Sequence, residues 1–548
     1  MCQGGTCQCI PGYFGAACER HPRWFCVSDC LNRGRCDFGF CLCRPPYYGV
    51  DCSLEPFRAS TEALHALPAG HLGIAAPPTI PSSLTSRGSG GGGASEEGGG
   101  GIEGGAEFTR GHSQAGIEGG AGAASMGAAA GTCVRPCVYV YELPARMNVL
   151  ALKAEPTWAF YSHGPADYRG FKAVHISLLR SAHRTTDPSR ADFYYVPVWD
   201  FHGSWGNPEV YWRAHQYVRS VWPYFNRSGG ADHIWSNTRD AAGCSNPWGS
   251  IWDQTRASIL LSNWGAVTGL GGVPTERCFD ATRDLVIPGV LRDHIVAKSP
   301  FLTFHRQFPT DPAAAARAAA ADANHKAWHG RTKLLFFHGA ICWQTYDHMN
   351  GLAELGRKCR QKHGFLDHYS FGVRWEVYRR FHKEEGFQLR ATDLKPPPPY
   401  VSLDAEMLQT IFCLCPSGTG WGMRVFHSAA LGCIPVLIQR DEASAYPPVL
   451  QAFEGLLLDW DAIAVRLEPR DLPQLPMILR RLAANTTALM SKRHALAAVW
   501  TRLLWREALP LEVRLILAHA PDAFDSLMQS LALRLKYGLR GAGDAWHP

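Results

Sequence analysis

The stretch from Ile411 to Ile438, IFCLCPSGTGWGMRVFHSAALGCIPVLI, constrains the fold more than any other part of the chain. An apolar run leads into a turn rich in Pro and Gly. A helical segment follows, and a second apolar run closes a β-turn-α-β unit. Gly418, Gly420 and Gly422 let the backbone approach a ligand closely, and Ser417 opens the turn. The helix start would present free N–H groups to an anion, and Arg424 adds a planar fork suited to phosphate oxygens. The diphosphate of a sugar nucleotide is the natural candidate ligand. The plain alternative is a strand-to-helix turn with a surface arginine.

At 548 residues the chain exceeds one compact core, so two or more domains are expected. A net charge of +6 is small for this length. No dense Lys/Arg block or RNA-binding signature appears, so no nucleic-acid partner is expected. Ten of the 19 cysteines precede Ser53, which points to disulfides and the secretory pathway. The sequons at Asn226 and Asn485 fit that compartment. No signal peptide and no apolar run of transmembrane length is visible. An oxidising location then implies a membrane anchor or signal upstream of Met1.

Cys26 to Cys52 reads C-x3-C-x5-C-x4-C-x-C-x8-C, and Cys2 to Cys18 repeats its last four positions. Six cysteines alone allow 15 pairings. The spacing resembles an epidermal-growth-factor-like module of the tenascin type, covering residues 19–57, with 1–18 as a truncated copy. That resemblance implies Cys26–Cys36, Cys30–Cys41 and Cys43–Cys52, with Cys9–Cys18 in the partial repeat. Residues 58–132 are Gly/Ala/Ser-rich with few aromatics and read as a flexible tether.

Beyond Cys133 the chain alternates strand and helix patterns in two blocks, 133–321 and 322–510, followed by a C-terminal helix and tail over 511–548. CVYVYEL, ADFYYVPVW, DHIWSNT and DLVIPG are strand candidates of the first block; KLLFFHG, IFCLCPSG, GCIPVLI and AIAVRL belong to the second. Two doubly wound α/β domains are expected, with ligands beyond the strand C-termini in the cleft between them. The Ala-rich stretch from Asp311 to Asn324 reads as a surface insertion or an interdomain element.

The ordered set VYVYELP, ADFYYVPVW, DHIWSNTRDAAGC, DLVIPG, LLFFHGA, YSFGVRWEVY, FCLCPSGTGWGMR, GCIPVLI and FEGLLLDWDAIAVRL resembles the exostosin family, glycosyltransferase family 47, from about Val138 to Asp471. The modules in front resemble green-algal and plant members. The resemblance implies a GT-B fold and inverting transfer from a nucleotide sugar, usually a UDP-sugar, to a glycan acceptor. It places Arg424 on the donor diphosphate and Glu454 on the ribose, where a carboxylate accepts both hydroxyl protons. Here FEGLLLDW departs from the family pattern by about one residue. Gly339 ends the first strand of the donor block. Arg374, in the S-x-G-x-R segment, is a second donor contact or a structural arginine. Asp240 falls on the family's acidic position and is the expected base for the acceptor hydroxyl, with Asp200 and His202 as rivals. His338, before Gly339, is a packed histidine or a ligand.

Asp459-Trp460-Asp461 spells D-x-D but reads as a surface turn, and no cofactor or metal is expected beyond the UDP-sugar. Cys413-Leu414-Cys415 reads as strand alternation, with bridges Cys413–Cys433, Cys342–Cys359 and Cys244–Cys278 conceivable. The Trp-rich stretch from Trp199 to Trp264 would line a saccharide groove or, more commonly, a core. A homologous transferase partner is conceivable. A non-catalytic glycan- or matrix-binding protein is the alternative function. A glycoside hydrolase fits less well, because no carboxylate pair stands out.

Overall fold

The computed structural model describes residues 133–144, 147–148, 170–198, 208–237, 251–266, 279–321, 330–342, 349–360, 369–418, 420–438 and 449–537, with 2–3, 6–7, 27–37, 40–44, 47 and 52 in front. Apolar runs rich in β-branched and aromatic residues form the strands. The first sheet holds β1 (Val138–Val140), β2 (Arg184–Thr185), β3 (Phe193–Tyr195), β4 (His233–Asn237), β5 (Ile259–Ser262) and, after the two-residue strand β6 (Gly265–Ala266), β7 (Leu285–Val286). Its order is β7-β5-β4-β3-β1-β2, and every pairing is parallel. The second sheet holds β8 (Lys333–Gly339), β9 (Phe387–Ala391), β10 (Thr410–Leu414), β11 (Ile434–Ile438) and, after β12 (Val449–Leu450), β13 (Val465–Leu467). Its order is β9-β8-β10-β11-β13, again all parallel. Both sheets therefore run 2-1-3-4-5 from their own first strand, the doubly wound order with a reversal between strands one and three. The fold is α/β of the GT-B type.

Parallel strands need both faces covered, which is why IPVLI in β11 is buried at every position. Alternation splits β8 in two: Phe336 joins the central core while Leu335 and Phe337 face an outer one. The central core runs without a break from Val138 and Phe193 through Phe426 and Leu437 to Trp500 and Leu531, so both sheets and the C-terminal helices share it. Helices used below are α1 (Gly170–Arg180), α2 (Pro208–Val221), α3 (Leu302–Gln307), α4 (Pro312–Ala321), α5 (Val373–Phe381), α6 (Leu403–Leu408), α7 (Arg424–Ala430), α8 (Leu475–Ala484), α9 (Thr486–Val499) and α10 (Ala523–Tyr537).

Polar ties hold the halves together. β6 pairs antiparallel with β12, Gly265 opposite Leu450 and Ala266 opposite Val449. Phe453 N–H donates to Val286 O at 3.0 Å. Lys298 of the first half pairs with Asp404 on α6, whose other oxygen meets His427 Nε2 of α7 at 2.8 Å. The C-terminal segment returns to the first sheet. Trp505 Nε1 donates to Pro288 O at 2.8 Å, and Arg534 donates to Thr282 O at 2.5 Å and Asp284 O at 2.8 Å. The Ala-rich stretch is helix α4, with Ala315, Ala319 and Ala320 buried, and it packs on α9 as an interdomain element. Only small side chains allow two helix backbones to approach so closely.

Disulfides join Cys30 to Cys41, Cys43 to Cys52, Cys133 to Cys137, Cys342 to Cys359 and Cys413 to Cys433. Cys9, Cys18, Cys26, Cys244, Cys278, the side chain of Cys36 and the tether 58–132 lie outside the described residues. Asn226 and Asn485 are exposed. Asn485 caps α9 through Oδ1, which accepts from Ala488 N–H at 3.0 Å, so its Nδ2 stays available for a glycan. No described helix is long and apolar enough to cross a membrane. The D-x-D stretch differs from a simple surface turn: Asp459 caps a short helix, and Trp460 is buried with Nε1 on Ala452 O.

Burial holds three histidines neutral, pulling His175 down to about 3 and His215 and His305 each down to about 4. Their native pKa values lie below the unfolded value near 6.5, so their stabilising effect is complete above that pH and is lost as the pH falls toward 4. Each group removes about 1.4 kcal/mol per pH unit inside that window. Asp522, raised by burial to about 7, acts in the opposite sense, as do the raised Glu142, Asp284 and Glu454, while burial lowers His233, His338 and His427 as it does the first three histidines. The lowered histidines outnumber the raised carboxylates, so the thermal midpoint is expected to fall from pH 6.5 to 4.5. A flat midpoint over that range in calorimetric scans would contradict the assignment, and His215→Phe should flatten the slope by roughly one group's share.

Candidate functional site

Between β8 and β10 the winding of the second sheet reverses, because the chain leaves β8 outward to β9 and leaves β10 toward β11. Ligands of open parallel sheets collect at the C-terminal edge of such a reversal. At that edge β8 ends in His338-Gly339 and β10 runs into the turn from Cys415 to Met423.

Arg424 opens α7 and reaches back over the edge. Its Nη2 donates to His338 O at 2.7 Å, and its guanidinium lies 4.7 Å from the centroid of the Phe337 ring. Gly339 makes room for it: a Cβ there would stand 3.2 Å from Nη2. Arg374, from α5, sits on the same ring at 5.5 Å and on Tyr369 at 4.7 Å. Burial, and then the neighbouring Arg374, pull the Arg424 guanidinium down to about 10; burial also lowers Arg374. No carboxylate among the described residues forms an ion pair with either arginine. Two like charges are thus held beside one aromatic ring, which favours an anion near them.

The two arginines differ in what they have left to offer. Arg374 donates Nε and Nη2 to Ser417 O at 3.2 and 3.0 Å and Nη1 to Ala340 O at 2.9 Å. It braces the turn against the end of β8. Arg424 commits one of its five N–H donors among the described residues, which leaves its fork to a ligand. Ser370 N–H donates to Gly418 O at 3.1 Å, and Gly418 N–H donates to Gly420 O at 3.2 Å, closing the turn. Gly422 sits close under the turn, where a Cβ would meet Pro416 O at 3.3 Å.

His338 Nδ1 is buried without a hydrogen-bond partner among the described residues, and burial together with Arg424 and Arg390 lowers the ring's pKa. A neutral imidazole therefore stands beside the arginine. Cys415 is a free, buried thiol, raised by burial to about 11, and Cys413 is bridged to Cys433, so the two form no redox pair.

Glu454 lies in a tight loop between Phe453 at φ 53° and Gly455 at φ 74°. One carboxylate oxygen accepts from Gln451 N–H at 2.6 Å, and the other pairs with Arg466 at 2.5 Å. Burial raises its pKa despite Arg466. Gln451 and Leu450 share a small cavity with Ser417, Gly420, Trp421 and Gly422, so this loop and the Gly-rich turn meet. Asn263 and Trp264, from the loop after β5, close the same cavity from the first half. Trp264 ends the Trp-rich stretch read as a saccharide groove or a core, whereas Asn263 carried no sequence signal, although both leave the C-terminal edge of a strand, where the doubly wound rule places ligands. Gly289, also from the first half, comes so near Trp421 that a Cβ would lie 2.6 Å from its ring.

Asp240, Asp200 and His202 lie outside the described residues. β4 ends at Asn237 and β3 at Tyr195, so all three follow C-terminal strand ends of the first sheet.

Residues 132–482 match the family model described as the exostosin GT47 domain. Similar curated proteins include two named probable glucuronosyltransferases of Oryza sativa subsp. japonica. One is 28% identical over 65% of this chain and 71% of its own length, the other 26% over 79% and 88%. A protein named probable beta-1,4-xylosyltransferase, of Arabidopsis thaliana, is 25% identical over 73% of this chain and 82% of its own length.

Proposed function

This chain belongs to the exostosin GT47 family and is a glycosyltransferase, and from that premise we propose inverting transfer from a UDP-sugar to a polysaccharide or glycoprotein glycan. One observation carries the donor assignment: at the reversal point of the second sheet Arg424 stands beside a second guanidinium, with donors uncommitted and no carboxylate partner among the described residues. A planar fork in that setting suits two phosphate oxygens. Glu454 would receive the ribose hydroxyls on the lone pairs that Arg466 and Gln451 leave open.

The chemistry needs three things from the protein: a held donor, a stabilised leaving UDP and a base for the acceptor hydroxyl. The arginine pair supplies the second by placing fixed positive charge where negative charge develops. We assign that work to the guanidiniums in place of a metal, so transfer should continue in EDTA. Asp240 would be the base and the first half the acceptor block. The five described disulfides support a lumenal, secretory location.

The direct test is calorimetric titration with a panel of UDP-sugars, including UDP-glucuronate and UDP-xylose, followed by turnover with and without glycan acceptors. Saturable binding of UDP itself and sugar release from one panel member are expected. A protein that bound glycans but neither UDP nor any UDP-sugar would be a pure binder, and the enzyme assignment would fail.

A further inference from the structure

Away from the sheet edges, α3 and α4 face α9 and the turn Trp500–Leu503 across a cavity of about 450 Å3. Ligand pockets run from about 300 to 1,000 Å3 and pair apolar walls with a few placed polar groups. The apolar part of the wall is alanine from α4 and α9, Ala316 among them, with Pro312 and Pro521. Small side chains leave the space open, where larger ones would have filled it at native packing density. Among the described residues no acidic side chain lines it. The polar groups are cationic or neutral: Arg317, Arg502, His305, His494 and Thr501.

His305 makes this a built site. The residue is only 4% exposed, yet its ring has no hydrogen-bond partner among the described residues. Trp500 covers one side of the ring at 5.7 Å, and the cavity takes the other. The ring lines the cavity with its hydrogen-bonding capacity unused among the described residues, so a ligand there gains a partner. Arg502 is half-buried and donates to neutral partners, Ser526 Oγ at 3.1 Å and Gln529 Oε1 at 3.0 Å, with the charges of Asp525 and Asp522 acting on it from nearby. Arg317 is exposed, with Asp311 3.7 Å away. His494 is engaged with Ala320 O at 3.1 Å and helps hold α4 against α9.

We propose that this cavity binds an amphiphilic organic anion, its hydrocarbon body against the alanines and its carboxylate or phosphate head at Arg502 and Arg317. Apolar walls argue against a sugar, whose hydroxyls would go unpaired there. The positive rim argues against a neutral hydrocarbon alone. His305 and Thr501 supply the remaining polar contacts. The site is separate from the donor edge and does not depend on its assignment.

The test uses the full chain and calorimetry with dodecanoate, dodecyl phosphate and dodecanol, all below micelle-forming concentrations. One saturable site is expected for at least one anion, at least tenfold tighter than for dodecanol, and the tighter of the two heads identifies the source class. Ala316→Trp, which fills the cavity, should weaken anion binding at least tenfold with an unchanged far-UV circular dichroism spectrum. Should Ala316→Trp fail to fold, Arg317→Gln and Arg502→Gln serve instead and should narrow the preference of anion over alcohol. No saturable binding, equal binding of dodecanol, or binding that survives the filled or charge-neutralised variants would each overturn the proposal.

Discussion

Arg424→Ala should weaken UDP binding about 100-fold and lower kcat/KM at least as much. A charged hydrogen bond contributes about 1.5–3 kcal/mol, and a two-pronged arginine–phosphate contact sits at or above the top of that range. Arg424→Lys keeps the charge but not the fork, so intermediate binding is expected. Stability should move differently. Burial and Arg374 both disfavour the Arg424 charge in the folded protein. Removing that charge therefore leaves the thermal midpoint unchanged or raises it. Arg374→Met should do the reverse, because it strips partners from Ser417 O and Ala340 O and loosens the turn. Titration calorimetry and thermal scans on the two variants separate ligand contact from brace. Unchanged UDP affinity in Arg424→Ala would remove the arginine from the donor site.

Asp240→Asn should reduce transfer by about a thousandfold while UDP affinity stays within twofold of the unaltered protein. General base catalysis is worth about 100- to 10,000-fold, and an amide cannot accept the acceptor's proton. Asp240 stands three residues beyond Asn237, the last residue of β4. Asp200 and His202 stand five and seven residues beyond Tyr195, the last of β3. β3 borders the reversal of the first sheet, so residues that follow it in sequence are the necessary controls. Sustained turnover in Asp240→Asn, with loss in Asp200→Asn or His202→Ala, would reassign the base.

Much of the fold was legible because buried strands announce themselves. ADFYYVPVW, DHIWSNT, KLLFFHG and GCIPVLI each contain a strand of the two sheets. Strand order was not legible, since it follows from which helices cross which face, and no local pattern encodes that. The Gly-rich turn could be read as an anion mouth, but not the division of labour inside it. That Arg374 braces and Arg424 remains open depends on which carbonyls happen to lie near each guanidinium. Glu454 could be placed on its loop, whereas its pairing with Arg466 arises from a strand downstream. Asn263 gave no motif to find, and Trp264 only the end of a Trp-rich stretch. Their role comes from the approach of one half to the other.

The shared core makes neither half an autonomous folding unit. Cutting the chain between the sheets would lay bare the apolar surface that Phe426, Leu437, Trp500 and Leu531 cover jointly with the first sheet, and would strip β6 and β12 of their only rung pair among the described residues. Evolution of donor and acceptor preference in such a protein must then proceed by altering loops in place. Exchange of whole halves between relatives would present mismatched surfaces and end in aggregation.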